Sequence, residues 1–331
     1  MKALKIIGII LLVIIVVFLV VALFLPKGAS MKESIVINKP ASLIYKQVNN
    51  FHNWNAWSPW LEMDSTMVNS YEGPDQGVGA KNSWTSKKSG NGSMTITESL
   101  PYKRVLADLD FGQKGKAVNY FEFEETTEGT RVTWGVDAEN MGYPFGRYIA
   151  MMMPGMMNPV FTKGLENLKK VTEAMPDPPA LKIVEMPETA VIAILDSCNW
   201  SDISMKMEQI FGELMGYCQK AKISQSGFPQ SAYYKWDEEK QFTVFENRLP
   251  VSQVLPDKGR IQYKIIPATR AVVGVHFGAY DKTLYLYQAM DEYIKDFGMQ
   301  ETGGPIEEYV TDPMTEQDTA KWQTNVYFPV K

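Results

Sequence analysis

The sequence predicts an α+β protein in three unlike pieces: an N-terminal transmembrane helix, a curved sheet gripping one long helix, and a tandem βαββ repeat. Three observations carry this prediction: an uncharged apolar run near the N-terminus, a series of alternating segments closed by a helical pattern, and a self-similar second half. The 331 residues suffice for two domains beyond the apolar run, at ~100–200 residues per domain. With 45% hydrophobic and 21% charged residues the chain is neither disordered nor collagen-like, and only 2 Cys exclude a disulfide-built scaffold.

The first piece covers residues 4–26. Ile6 to Leu25 are apolar throughout apart from Gly8, and a helix of that length rises ~30 Å, the thickness of a bilayer core. The run continues into Leu25-Pro26-Lys27 without a small-residue cleavage site, so it reads as a retained single-pass anchor rather than a signal peptide. Lys2, Lys5 and the terminal amine precede it, and Lys27 and Lys32 follow, so the positive-inside count is nearly tied. The orientation adopted is a cytoplasmic N-terminus with the globular part on the extracytoplasmic side.

The second piece is 31–175. Glu33 to Asn38 reads as a strand, and Pro40-Ala41-Ser42 opens a short helix over Leu43 to Asn49. The aromatic cluster Phe51, Trp54, Trp57, Trp60 follows. Lys81–Ser86, Gly92–Glu98, Arg104–Phe111, Ala117–Glu124 and Thr130–Glu139 then read as antiparallel strands with a period of two. A helix from about Pro159 to Ala174 closes the piece, with Val160, Phe161, Gly164, Leu165, Leu168 and Val171 on one face. Strand, small helix, meander and long helix is the order of a helix-grip fold, which leaves a cavity between sheet and helix. The Met-rich stretch Met151–Met157 reads foremost as packing, with a cavity lid or a bilayer contact as alternatives. Glu62 and Asp64 read as surface or turn carboxylates, and Gly77-Val78-Gly79 as a strand turn rather than a phosphate loop.

A spacer at 176–179, Pro176-Asp177-Pro178-Pro179, cannot continue a helix and separates the last piece, 180–331. This piece repeats itself. Ala190-Val191-Ile192-Ala193-Ile194 matches Ala271-Val272-Val273-Gly274-Val275, Pro229 with Tyr233 matches Pro305 with Tyr309, and Glu246–Val251 matches Asn325–Val330. Each unit reads strand, helix, strand, strand, with helices at Met205–Lys222 and Lys282–Phe297. Two such units pair about a pseudo-two-fold axis, and the groove where they meet is a natural small-molecule site.

Charge and residue inventory narrow the function. The net charge of −5 offers no basic stripe for nucleic acid. It is uneven, with 15 basic and 16 acidic residues in 31–175 against 15 and 21 in 180–331, so a cationic ligand belongs to the last piece. Cys198 and Cys218 lack metal spacing, and His52 and His276 are isolated, which argues against a metal centre or a histidine triad; no cofactor is indicated.

Residues 31–175 resemble the SRPBCC (START-like, polyketide cyclase-like) superfamily. The matching features are Pro40 with its helix, Trp54-x-x-Trp57-Ser58-Pro59-Trp60 leading to Asp64, Gly77-Val78-Gly79 with Trp84, Thr130–Trp134, and Gly164-Leu165-x-x-Leu168-Lys169. The resemblance implies a hydrophobic ligand, with Trp54, Trp57, Trp60 and Trp84 as candidate contacts; without it, such aromatics read as core. Residues 180–331 resemble the GyrI-like domain, also the effector domain of AraC-type regulators. The features here are Phe277-Gly278-Ala279-Tyr280, Pro305-Ile306-Glu307-Glu308-Tyr309, Asp312-Pro313 and Trp322–Val330.

This second resemblance implies an amphipathic, often cationic ligand held by aromatics and a buried carboxylate. The candidates are Tyr233, Glu246, Tyr280, Glu308, Tyr309, Trp322 and Asn325; Asn325 stands where relatives often carry an acid. The leading function is a membrane-anchored small-molecule-binding protein with two ligand modules. One alternative is a hydrolase or detoxifying enzyme using Glu308 as base and Tyr309 as proton donor or orienter. Another is a ligand sensor acting through a partner protein, since no helix-turn-helix is present.

Overall fold

The computed structural model describes residues 2–312 and 314–331, so Pro313 of the Asp312-Pro313 pair lies outside the described residues. The chain forms two compact units, 1–177 and 178–331. Helix α1 is Lys2–Phe24, and of these Leu4–Phe24 are long and apolar enough to cross a membrane.

After α1 the first unit runs β1 (Ala29–Ile37), α2 (Ala41–Asn49), α3 (Pro59–Met63), β2 (Val68–Glu72), β3 (Lys81–Thr85), β4 (Gly92–Leu100), β5 (Arg104–Asp110), β6 (Lys116–Thr126), β7 (Gly129–Ala138) and α4 (Phe145–Glu173). The seven strands form one antiparallel sheet in the order β1-β7-β6-β5-β4-β3-β2. Pro40, in extended backbone, precedes α2, which buries Ala41, Ile44, Tyr45 and Val48 at helical spacing.

Along β6 the buried positions are Ala117, Asn119, Phe121 and Phe123, while Val118 and Tyr120 face outward. A polar residue joins the inner face because the indole of Trp134 needs an acceptor there: its Nε1 donates to Asn119 Oδ1 at 2.7 Å. Trp134 stacks between Phe121 and Phe161 at centroid distances of 5.2 and 4.6 Å, and Trp54 and Trp57 meet this stack edge-on. These rings fill the space between sheet and α4.

Helix α4 begins fourteen residues before the expected Pro159, running through Pro154 and Pro159. Each proline removes one amide from the helical ladder, yet the methionines on both sides of Pro154 are good helix formers and carry the helix on. Gly164 lets α4 approach: a β-carbon there would lie 2.5 Å from Trp134 Cζ3 and 2.9 Å from Pro59 Cδ.

Asp64 corrects the surface reading, although its turn position stands. It is 1% exposed, and its carboxylate accepts from Ser86 Oγ, from Thr66 Oγ1 (2.6 Å) and N (2.9 Å), and from Ser89 Oγ (2.8 Å) and N (3.2 Å). It pins the α3–β2 loop to the β3–β4 turn. These donors, Ser86 foremost and then Thr66, hold the Asp64 carboxyl far below the usual carboxylate range against the opposing pull of burial.

The second unit runs β8 (Leu181–Met186), β9 (Thr189–Asn199), α5 (Ile203–Ala221), β10 (Gln230–Asp237), β11 (Phe242–Pro250), β12 (Gln262–Ile266), β13 (Thr269–Phe277), α6 (Leu284–Asp296), β14 (Ile306–Tyr309) and β15 (Gln323–Val330). Its antiparallel sheet has the order β12-β9-β11-β10-β14-β15-β13-β8. The two βαββ units, β9-α5-β10-β11 and β13-α6-β14-β15, meet at β10–β14. Their leading strands are exchanged: β8 pairs with β13 of the second unit, and β12 with β9 of the first.

Two stability outcomes follow. Gly164→Val forces Trp134 and Pro59 out of place and lowers stability by about 1–3 kcal/mol in thermal unfolding; an unchanged midpoint contradicts the close approach. With a folded pKa below the unfolded value of 3.8, Asp64 contributes stability that is present above that value and is lost as pH falls through the folded pKa. Asp64→Asn therefore lowers the melting temperature of the first unit at neutral pH and flattens its decline in acid.

Candidate functional site

The site builds from strand alternation at the centre of the second sheet. Helix α5 packs on β9 and β11 through Ile192, Ile194, Phe245 and Leu249, and α6 on the other half through Val272, Val326 and Phe328. Between them runs the β10–β14 seam, paired as Gln230↔Glu308, Ser231↔Glu307 and Ala232↔Ile306. Successive residues leave opposite faces of a strand. The helix-facing residues of the seam are therefore Ser231, Tyr233, Glu307 and Tyr309.

Glu307 is 8% exposed and receives three phenol hydroxyls: Tyr287 Oη to Oε1 at 2.9 Å, and Tyr309 and Tyr233 Oη to Oε2 at 2.8 and 3.1 Å. Among the described residues no Lys, Arg or His makes an ion pair with it. Aromatic rings extend from this cage. Tyr280 lies edge-on to Tyr309 at 5.3 Å and against Trp322 at 5.0 Å, Phe211 of α5 meets Tyr309 at 5.9 Å, and Trp236 meets Tyr233 at 6.0 Å. Ser231 Oγ donates to Asn247 Oδ1 at 2.9 Å, whereas Asn247 Nδ2 and, on the strand beside Tyr309, Thr324 Oγ1 are buried with no partner among the described residues.

Burial, and then the negative charge of Glu307, push the hydroxyls of Tyr233, Tyr287 and Tyr309 well above the ordinary phenol range. Tyr280 is pushed up to about 12 by burial, with Asp312 and Glu307 adding to it. These phenols keep their protons and act as donors. The arrangement is a carboxylate solvated by tyrosines in place of water, walled by rings.

The sequence-derived residues divide between two faces. Tyr233, Tyr280, Tyr309 and Trp322 belong to the helix-facing cluster. Glu246, Glu308 and Asn325 lie on the opposite face. Glu308 accepts there from Gln230 Nε2 (3.2 Å), Asn325 Nδ2 (2.9 Å) and Tyr327 Oη (2.9 Å). Buried Glu246 pairs with Lys264 at 2.5 Å and Arg248 at 2.7 Å; burial alone would raise its pKa, but these two partners outweigh it and lower it. Glu308 and Tyr309, adjacent in sequence, thus leave opposite faces, and the hydroxyl of Tyr309 meets Glu307. Residues two apart on a strand share a face, which was the available signal for Glu307; Tyr287 comes from α6, and its approach had no local signal.

In the first unit, Trp54 and Trp57 are 7% and 1% exposed and donate to the carbonyls of Val48 and Gln47 at 2.8 and 3.3 Å. Trp60 and Trp84 are half-buried against the same core, Trp84 edge-on to Phe111 at 5.9 Å.

Comparison with known families places both domains. Residues 28–173 match the family described as polyketide cyclase / dehydrase and lipid transport, and residues 179–331 match the GyrI-like small molecule binding domain. A search of curated proteins finds no match. Among solved structures, the EcmrR C-terminal domain is 25% identical with a TM-score of 0.42, over 46% of this chain and 98% of that one. EcmrR in its DNA complex is 22% identical with a TM-score of 0.44, over 56% of this chain and 69% of that one. A hydrolase from Listeria innocua is 11% identical with a TM-score of 0.37, over 49% of this chain and 98% of that one. Behind its apolar helix, the chain thus joins a domain of the polyketide cyclase/dehydrase and lipid transport family to a GyrI-like small molecule binding domain.

Proposed function

We propose that the protein is a membrane-tethered receptor for a small amphipathic cation, bound by the GyrI-like domain at Glu307. The carrying observation is a buried carboxylate with three tyrosine donors and, among the described residues, no Lys, Arg or His paired with it. In a low-dielectric setting such a charge favours a ligand cation, and the faces of Tyr280, Trp322 and Phe211 suit one with aromatic or aliphatic bulk. The unpartnered Asn247 Nδ2 and Thr324 Oγ1 supply further polar contacts for its head group. The far-face acid Glu246 is already neutralised by Arg248 and Lys264, which favours Glu307 as the charge that selects the ligand.

Helix α1 supports the tether: across Leu4–Phe24 its apolar side chains are almost all exposed, as a bilayer-facing surface requires. The globular domains are proposed to lie outside the cytoplasm. A lipophilic ligand for the first domain rests on its family description. With Trp54 and Trp57 inside the core, the half-buried Trp60 and Trp84 are the contacts to test.

The full-length protein in detergent is expected to bind the cationic dye thioflavin T saturably and the anionic dye fluorescein far more weakly. Glu307→Gln should weaken thioflavin T by about tenfold or more, ~1.4 kcal/mol, while Glu308→Gln leaves it unchanged. Equal affinity in Glu307→Gln, or preference for the anion, overturns the proposal, and turnover of a bound compound would replace a receptor by an enzyme.

The same tyrosines set an alkaline limit. Their folded pKa values lie above the unfolded value of 10.0, so the stability from keeping them neutral is full below that value and is lost as pH rises beyond it. Tyrosinate absorbance of the folded protein should lack these groups until unfolding, and Tyr287→Phe should flatten the alkaline fall in melting temperature. Titration of all 16 tyrosines together near their ordinary value contradicts the cage.

A further inference from the structure

The start of α4 is bound to the end of α1, and the contact is polar where a membrane helix has polar groups to offer. Tyr148 Oη donates to the carbonyl of Phe18 at 2.8 Å, and Tyr143 Oη to that of Leu19 at 2.7 Å. Arg147 Nη1 reaches the carbonyls of Ala22 and Leu23, which a helix leaves unpaired at its C-terminal end, at 3.3 and 3.2 Å, and that of Leu25, just beyond α1, at 3.2 Å. The ring of Tyr148 stacks on Phe18 at 4.5 Å, and Phe145 meets it at 5.2 Å. Phe18 lies six residues before the end of α1 at Phe24, so these contacts reach ~9 Å down the helix axis from that end.

Flanking this contact, the same part of α4 carries an apolar, uncovered stripe. Phe145, Ile149, Met152 and Met156, at spacings of four, three and four, are 70%, 51%, 57% and 65% exposed. From Tyr148 to Thr162 there is no charged residue, and Arg147, the charge at the start, is turned onto α1. Only Leu25–Gly28 separate α1 from β1, which limits the distance between the end of α1 and the sheet to ~18 Å.

We propose that Phe145–Met157 is an interfacial membrane helix, seated beside the last turns of α1 with the Phe145-Ile149-Met152-Met156 stripe in the acyl region of the lipid bilayer. The occupant of this face is lipid because the face continues the exposed apolar surface of α1 at the depth that the Tyr148–Phe18 and Tyr143–Leu19 bonds set. Arg147 then sits at head-group level, and the phenols find acceptors on α1 where no water is available. Pro154 is tolerated at the boundary, and beyond Pro159 the same helix enters the domain core through Phe161 and Leu165. One continuous helix thereby couples the bilayer surface to the first domain. The proposal rests on α1 spanning the membrane.

Spin labels in the full-length chain, reconstituted in phosphatidylcholine/phosphatidylglycerol vesicles, test it. In a Cys198→Ala/Cys218→Ala background, single cysteines replace Val13 in α1, Ile149 and Met152 on the stripe, and Glu166 on the distal part of α4. Power saturation is expected to give oxygen accessibility above nickel-chelate accessibility at Val13, Ile149 and Met152, and the reverse order at Glu166. Nickel-accessible Ile149 and Met152 with a lipid-embedded Val13 overturn the interfacial helix while leaving the anchor intact. A nickel-accessible Val13 overturns the anchor itself and the proposal with it. Dipolar broadening between Met152 labels means that a second copy covers the stripe, which also overturns it.

Discussion

A carboxylate can be buried only where its charge is hydrogen-bonded or paired, and the arrangement of the second domain turns on how Glu307 meets that constraint. It sits opposite Ser231 at the seam where the two repeats join, and the matched pairs Pro229/Pro305 and Tyr233/Tyr309 make Ser231 its symmetry equivalent. The two equivalent tyrosines both turn to the single carboxylate, and Tyr287 from α6 completes its coordination. A second acid at Ser231 would put two like charges face to face in a buried site. The same asymmetry recurs on the far face, where Glu246 has Asn325 as its counterpart and Glu308 has Ala232. The repeat supplies a symmetric frame, and one-sided acids give it polarity.

In the first domain the corresponding constraint is volume. A stack of Phe121, Trp134 and Phe161, flanked by Trp54 and Trp57, occupies the space under α4, and it closes only because residue 164 has no side chain. Asn119 satisfies the indole inside, and Asp64, together with the bond from Lys87 N to Thr66 Oγ1, ties the α3–β2 loop to the β3–β4 turn. Helix α4 changes character along its length, with exposed apolar residues in its first turns and an amphipathic face against the sheet further on.

Much of this was legible in the residues. The uncharged run ending at Leu25, the period of two through β6 and β7, the helical spacing of Phe161, Leu165 and Leu168, and the match of Ala190–Ile194 to Ala271–Val275 are local patterns, and local patterns survive in a sequence. The resemblance to the GyrI-like domain grouped Tyr233, Tyr280, Tyr309 and Trp322 with Glu246, Glu308 and Asn325, and strand register divides that set between the two faces of the sheet. The choice between Glu307 and Glu308 was not settled by their adjacency, because the face each takes depends on strand register, and a shift of one residue exchanges the faces. The early start of α4 was hidden by Pro154 and Pro159, whose local preference for a break is overridden by packing against α1 and β1.

By itself, then, the sequence determined the three-part order, the element types, the repeat and the placement of net charge, because each depends on composition or on spacing within a few turns. Only the tertiary structure decided that β8 and β12 are exchanged between repeats, that Glu307 rather than Glu308 meets the tyrosines, that Glu246 is neutralised by Lys264, and that Tyr148 reaches back to Phe18. Each of these joins residues distant in the chain or resolves a register. Their free energy comes from burial and pairing that exist once the sheets have formed, and no short window of residues encodes it.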